Sequence, residues 1–111
     1  MPDTAKAPGP LDGVKVLDFS MFLAGPYAGR LLSDHGAEVI KVEPPGGETI
    51  RGAHPVIEGK SRYFAQLNAG KKCVVLDLKS DEGKATVRRL VAEADVVLEN
   101  FRPGVMERLG L

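Results

Sequence analysis

Apolar positions along the chain fall into two kinds of run that alternate. Residues 14–19 (VKVLDF), 37–43 (AEVIKVE), 73–78 (CVVLDL) and 94–100 (ADVVLEN) are short, β-branched and bounded by turn residues, the pattern of buried strands. Helical spacing separates them. Gly25 followed by Pro26 predicts a helix start, with Ala28, Leu31 and Leu32 sharing a face and Gly36 as a left-handed stop. Val87, Leu90, Val91 and Ala94 form a second stripe at i, i+3, i+4, i+7. Ser80 is its predicted N-cap, and Asp81 and Glu82 stand where the positive helix end favours carboxylates. Pro103 opens a last short helix that Gly110 stops. The PPGG run after the second strand makes a turn, and 50–69 shows no clear period apart from a short element at 63–67.

The order strand–helix–strand, loop, strand–helix–strand–helix predicts an α/β protein with an open, mostly parallel sheet. Such an arrangement leaves at least one sheet edge and one helical face without a partner, so the chain reads as the front of a larger protein. Residues 1–10 are expected to be a flexible leader, and 11–111 the first part of a large domain.

Charge narrows the partners. Fifteen basic residues balance fifteen acidic ones, which gives no nonspecific pull toward nucleic acid or an anionic membrane. Any anion site must be local. Apolar residues at 43% and charged residues at 27% fit a soluble globular protein, and no apolar run approaches the ~20 residues that span a bilayer. The single cysteine, Cys73, has no partner for an internal disulfide, and no His/Cys cluster has metal-ligand spacing. The start MPDTAKAPGP lacks the basic and apolar regions of a secretory signal. A cytoplasmic protein without a metal is therefore expected.

In open α/β sheets ligands collect at the carboxyl ends of the strands. Those ends are 20–25, 43–47, 77–80 and 99–102. A dinucleotide site is one reading, because Glu43 lies 18 residues after Gly25, near the place of a ribose-binding acid. The first turn is SMFLAGPYAG, however, without G-x-G-x-x-G, and no G-x-x-x-x-G-K-[ST] loop occurs. Lys71 and Lys72 fall at the opposite end of the third strand, where surface solubility and a role near a cofactor are equally balanced. Asp18 and Asp77 read as structural strand-end carboxylates.

Several separated blocks in order, PLDGVKVLDFS, AGPYAGRLLSDHGAEVIKVEPPGG, NAGKK, LDLKS and ADVVLENFRPGVMERLGL, resemble the amino-terminal part of the family III CoA-transferases. That family includes formyl-CoA:oxalate transferase, the carnitine and bile-acid CoA-transferases and α-methylacyl-CoA racemase. The resemblance implies a Rossmann-like large CoA-binding domain in an interlocked homodimer, with coenzyme A across the strand ends. It implies that Leu76, Asp77, Leu78 and Lys79 line the nucleotide end, Lys79 offering its ammonium to a phosphate. The alternative for Lys79 is a solvated charge beside a helix cap. Asn100, Phe101 and Arg102 match a position touching the pantetheine and diphosphate region, and Arg108 matches an arginine contacting CoA. Arg108 could equally be a helix-end charge favoured by the C-terminal dipole. Leu23 and Ala24 occupy the turn facing the thioester. Leu23 replaces the glutamine of formyl-CoA transferase, and Pro44 replaces an arginine directed at the nucleotide, for which Arg51 or Lys41 is a candidate substitute.

The implied chemistry is transfer of CoA between an acyl-CoA thioester and a carboxylic acid. An aspartate attacks the thioester, a mixed anhydride forms, and the released thiolate regenerates an enzyme thioester that the acceptor resolves. The racemase branch instead uses a His/Asp pair at the α-carbon. Both sets of catalytic residues are expected beyond Leu111, so no residue of this chain is the predicted nucleophile. A noncatalytic nucleotide-binding or interaction domain is the reading from another class.

Overall fold

Parallel strands buried on both faces need apolar residues on both, and the first two strands supply them. A computed structural model describes residues 9–111, and the first eight residues of the expected leader lie outside the described residues. Strand β1 (Lys15–Asp18) leads into helix α1 (Ala24–Asp34) and strand β2 (Glu38–Glu43). A 3-10 turn (Thr49–Gly52) and a small antiparallel pair, β3 (Val56–Ile57) with β4 (Lys60–Ser61), precede helix α2 (Arg62–Asn68). Strand β5 (Lys72–Val75), helix α3 (Asp81–Glu93), strand β6 (Val96–Leu98) and helix α4 (Val105–Arg108) complete the chain.

The main sheet is parallel throughout, in the order β5-β2-β1-β6. The chain leaves β1 toward β2 on one side, and β6, on the other side of β1, is reached by a crossover from β5 at the far edge of the sheet. That switch point is where open α/β sheets form a crevice. Leu17 and Phe19 of β1 and the residue after it join Val42 of β2 and Val87 of α3 in one core cluster. Val16, Ala37 and Val39 form the other, with Leu32 of α1 packed against it. The period of two along each strand thus feeds two layers of helix, one on each side of the sheet.

Three expectations change. Helix α1 starts at Ala24, so Pro26 stands third rather than first, which costs no bond because the first four N–H groups have no intrahelical partner. Its buried face is Gly25, Pro26, Gly29 and Ser33, whereas Leu31 of the expected apolar stripe is exposed. Small residues face the sheet there because the strands present polar side chains beneath them, as described below. The stretch 50–69, expected to be mostly loop, carries the 3-10 turn, the β3–β4 pair and α2, which contains the short element expected at 63–67. Three valines on the edge strands, Val75, Val96 and Val97, and Val91 of α3 remain exposed.

Candidate functional site

All four parallel strands end at one edge, and one cleft there is lined from every strand end. Phe19, Ser20 and Met21 follow β1, Val42, Pro44 and Glu48 belong to β2 and its loop, Leu78 follows β5, and Phe101 follows β6. Its volume of ≈ 130 Å³ is below the ~300–1,000 Å³ of small-molecule pockets. By itself it has room for only a segment of a larger ligand. A second hollow of ≈ 240 Å³ opens at the start of α3 on the same segment, 75–80, that supplies Leu78 to the cleft, and is bordered by Leu76, Asp77, Ser80, Glu82, Gly83 and Thr86 among others.

Of the residues singled out in the sequence, Leu78 and Phe101 line the cleft, and Leu76 and Asp77 border the neighbouring hollow. Leu76, Leu78 and Phe101 also pack on the core cluster of Leu17, Phe19, Val42 and Val87. Asp77 builds a turn: its carboxylate accepts the Lys79 N–H at 3.0 Å, and its carbonyl accepts the Ser80 hydroxyl at 2.8 Å. Ser80 in turn caps α3 by accepting the Gly83 N–H at 3.0 Å, the predicted N-cap. Gly83 is required there, because a Cβ would run into the Asp77 carbonyl. Lys79 is exposed, and its ammonium makes no ion pair among the described residues. Arg102 and Arg108 are likewise exposed, Arg108 as the last residue of α4. Leu23 is the exposed N-cap of α1 and Ala24 its exposed first residue, and neither lines the cleft.

Asn100 has a task that spacing did not disclose. Its Oδ1 accepts the Met21 N–H at 2.9 Å, and its Nδ2 donates to the Met21 carbonyl at 2.8 Å. It therefore ties the end of β6 to the end of β1 across the switch point. Gly25 lets the two approach: a Cβ on it would meet the Ser20 Cβ, and the Asn100 Cγ at 3.1 Å.

Beneath this edge, on the α1 side, lies a layer of buried charge. Asp18 is fully buried, with Oδ1 accepting from the Ser20 N–H and hydroxyl and Oδ2 from the Lys71 ammonium at 2.7 Å. Lys71 also donates to the Pro26 carbonyl and to Asn68 Oδ1, each at 2.8 Å, which engages all three of its N–H groups. Surface solubility is thus excluded for Lys71, while Lys72 is an exposed partner of Glu38. The sequence left the two readings balanced, and what separates them is that β5 is shifted along the sheet. Lys72 pairs in register with Ile40, itself opposite Leu17, so Lys71 reaches the far end of β1.

Lys41 is fully buried, donates to the Ser20 carbonyl at 2.8 Å and pairs with buried Glu48 at 2.9 Å. Glu48 accepts the Phe22 N–H. Glu43 receives Arg51, whose guanidinium donates to both carboxylate oxygens, the Nη2 bond being 2.8 Å, and lies 3.8 Å over the Phe64 ring. Arg51 holds the Glu43 carboxyl below its ordinary 4.5 although burial pushes the other way. Burial, then the Glu43 charge, raises the Cys73 thiol, and burial lowers the Lys71 ammonium against the pull of Asp18. Buried Lys41 therefore does not stand free to replace the nucleotide-directed arginine at Pro44, Arg51 is tied to Glu43 with its side chain 45% exposed, and both Glu43 oxygens are engaged. A signal for the Lys41–Glu48 pair was present: a lysine inside EVIKVE, in a strand apolar on both faces, needs a nearby acid.

Residues 11–111 match the family model described as CoA-transferase family III. The chain belongs to the family III CoA-transferases. It is 52% identical over 111 residues to a probable fatty acyl-CoA transferase of Mycobacterium tuberculosis, covering 97% of this chain and 28% of that protein. To the succinyl-CoA–D-citramalate CoA-transferase of Chloroflexus aurantiacus it is 51% identical over 109 residues, covering 96% and 27%. The crystal structure of a CAIB/BAIF family protein from Brucella suis superposes with a TM-score of 0.88 at 46% identity, covering 95% of this chain and 29% of that one. The chain thus spans less than a third of the length of these family members. None of its described helices is long and apolar enough to cross a membrane.

Proposed function

We propose that this segment is the CoA-binding front of an enzyme that moves CoA between an acyl thioester and a carboxylic acid. The observation that carries the reading is the family match over residues 11–111, with about half the residues identical to proteins named for CoA transfer. The geometry is compatible with it. A long, segmented ligand suits two adjoining hollows along one strand edge better than one closed pocket. In this reading the nucleotide end lies over Leu76, Asp77, Leu78 and Lys79. Glu82 borders that hollow and would repel phosphate, which favours adenine or ribose inside it and places the phosphates toward the Lys79 ammonium. The pantetheine arm then crosses the cleft past Phe101 and Asn100 toward the turn holding Leu23 and Ala24, with Arg102 and Arg108 at the diphosphate.

The parts present bind and orient. Ammonium and guanidinium groups neutralise phosphate, and the apolar cleft walls of Phe19, Val42 and Phe101 exclude water around the arm. The attacking aspartate comes, in this reading, from the part of the enzyme outside these 111 residues, and the working enzyme is a cytoplasmic homodimer without a metal. The test titrates CoA calorimetrically against the family-length protein and its Lys79→Ala variant. Loss of one charge-assisted phosphate contact weakens binding by about tenfold or more. Equal affinities would reject the placement of Lys79, and absence of CoA exchange by the unaltered protein with any acyl donor would reject the activity.

A further inference from the structure

Ser20, Met21 and Phe22 form the turn between β1 and α1, and five of their backbone polar groups are held by side chains alone. The Ser20 N–H goes to Asp18, the Ser20 carbonyl to Lys41, both Met21 groups to Asn100 and the Phe22 N–H to Glu48. These four residues come from β1, β2, the loop after β2 and the chain after β6, so the turn is gripped from three neighbouring strand ends. Phe22 has φ 65, a left-handed conformation that a bulky residue keeps only when its surroundings over-determine it. Ser20, Met21 and Glu48 themselves line the cleft. A buried ion pair is commonly no more stabilising than an apolar pair of the same volume. What the fully buried Lys41–Glu48 pair adds is therefore shape: it holds the carbonyl before Met21 and the N–H after it.

We infer that Lys41 and Glu48 are positioning residues for CoA transfer, fixing the turn that forms one wall of the cleft in the conformation that receives the thioester arm. The inference rests on the proposed function, because it assigns that turn to CoA. It concerns residues that act through the turn: Lys41 does not line the cleft, and Glu48, which does, is nearly fully buried and held by Lys41 and the Phe22 N–H. It also accounts for a loop of five residues after β2 returning an acid to the β1 turn.

The test compares the family-length enzyme with Lys41→Met/Glu48→Leu, which removes both ties, and with Lys41→Met/Glu48→Gln, which restores an acceptor for the Phe22 N–H. Transfer is measured with succinyl-CoA, acetyl-CoA and palmitoyl-CoA as donors and succinate or acetate as acceptor, by mass of the thioesters formed. Folding at the assay temperature is read by far-UV circular dichroism, and exchange of the Phe22 amide by deuterium uptake. The first variant is expected to stay folded, to exchange the Phe22 amide faster and to lose on the order of 10²-fold in kcat/KM, as a misplaced reacting group does. The glutamine variant should recover part of both. Unchanged kcat/KM in the folded first variant, or no recovery with glutamine, would overturn the inference while leaving the function standing. No transfer by the unaltered enzyme with any donor would overturn the proposed function and this inference with it. Should the first variant not fold, Asn100→Ala, an exposed substitution that frees both Met21 groups, must speed Phe22 amide exchange. Unchanged exchange there would show that side-chain ties do not set the turn.

Discussion

Lys71→Met is the most informative stability experiment. The substitution keeps the unbranched stem and removes the ammonium. Asp18 Oδ2 loses its lysine, and the Pro26 carbonyl and Asn68 Oδ1 each lose a donor, while the Asp18 carboxylate stays fully buried. Breaking one partner out of a buried ion pair costs about 3–5 kcal/mol, because the remaining charge is neither paired nor hydrated. Against a total domain stability of about 5–15 kcal/mol, that is roughly a fifth or more. The chain has no tryptophan, so urea unfolding is best followed by far-UV circular dichroism. The double variant Asp18→Asn/Lys71→Met removes both charges and should be more stable than Lys71→Met alone, an interaction of about 1–3 kcal/mol between neighbours. A loss below about 1 kcal/mol for Lys71→Met would place the ammonium in solvent and refute the buried-charge layer.

Gly83→Ala drives a Cβ into the Asp77 carbonyl, which cannot rotate away, so it should lose about 1–3 kcal/mol in the same urea assay. By distorting the Leu76–Lys79 turn it should also weaken CoA binding, measured by calorimetry. Gly25→Ala, which crowds Ser20, should speed deuterium exchange of the Met21 amide. The Glu43 carboxyl, held below its ordinary 4.5 by Arg51, binds fewer protons folded than unfolded just below that value. Stability should then be fully present above pH 4.5 and fall as pH drops through the folded value, and Arg51→Gln should flatten that part of the curve. An unchanged acid limb in Arg51→Gln would remove the Arg51–Glu43 bond from the account.

The strands and their parallel arrangement were legible from four short β-branched runs between turn signals with helical spacing between them, but the order β5-β2-β1-β6 was not. Helix α3 was legible too, with Val87 at its centre and Ser80 as its cap. Helix α1 was legible as an element, but not in its inner face, because there burial does not follow hydrophobicity. Its inner face is glycine, proline and serine, since it lies over Asp18, Lys41 and Lys71, where a larger side chain would collide: a Cβ at Gly29 would lie 2.8 Å from Asp18 Oδ2. Charge pairing across the sheet depends on strand offset, which no local pattern encodes: Lys71 does stand at the amino end of β5, as expected, but its pairing with Asp18 was not readable. Residues at the strand ends were readable as ligand candidates. That Asn100 also binds the Met21 backbone required β6 to be known as the neighbour of β1.

The central claim is that the carboxyl edge of this sheet carries coenzyme A. The structure of the family-length enzyme crystallised with CoA tests it directly. The account predicts the nucleotide over Leu76 to Lys79, the Lys79 ammonium within hydrogen-bonding distance of a phosphate, and the pantetheine arm in the cleft beside Phe101. CoA seated away from this edge, with Lys79 and Arg108 in contact with water alone, would contradict it.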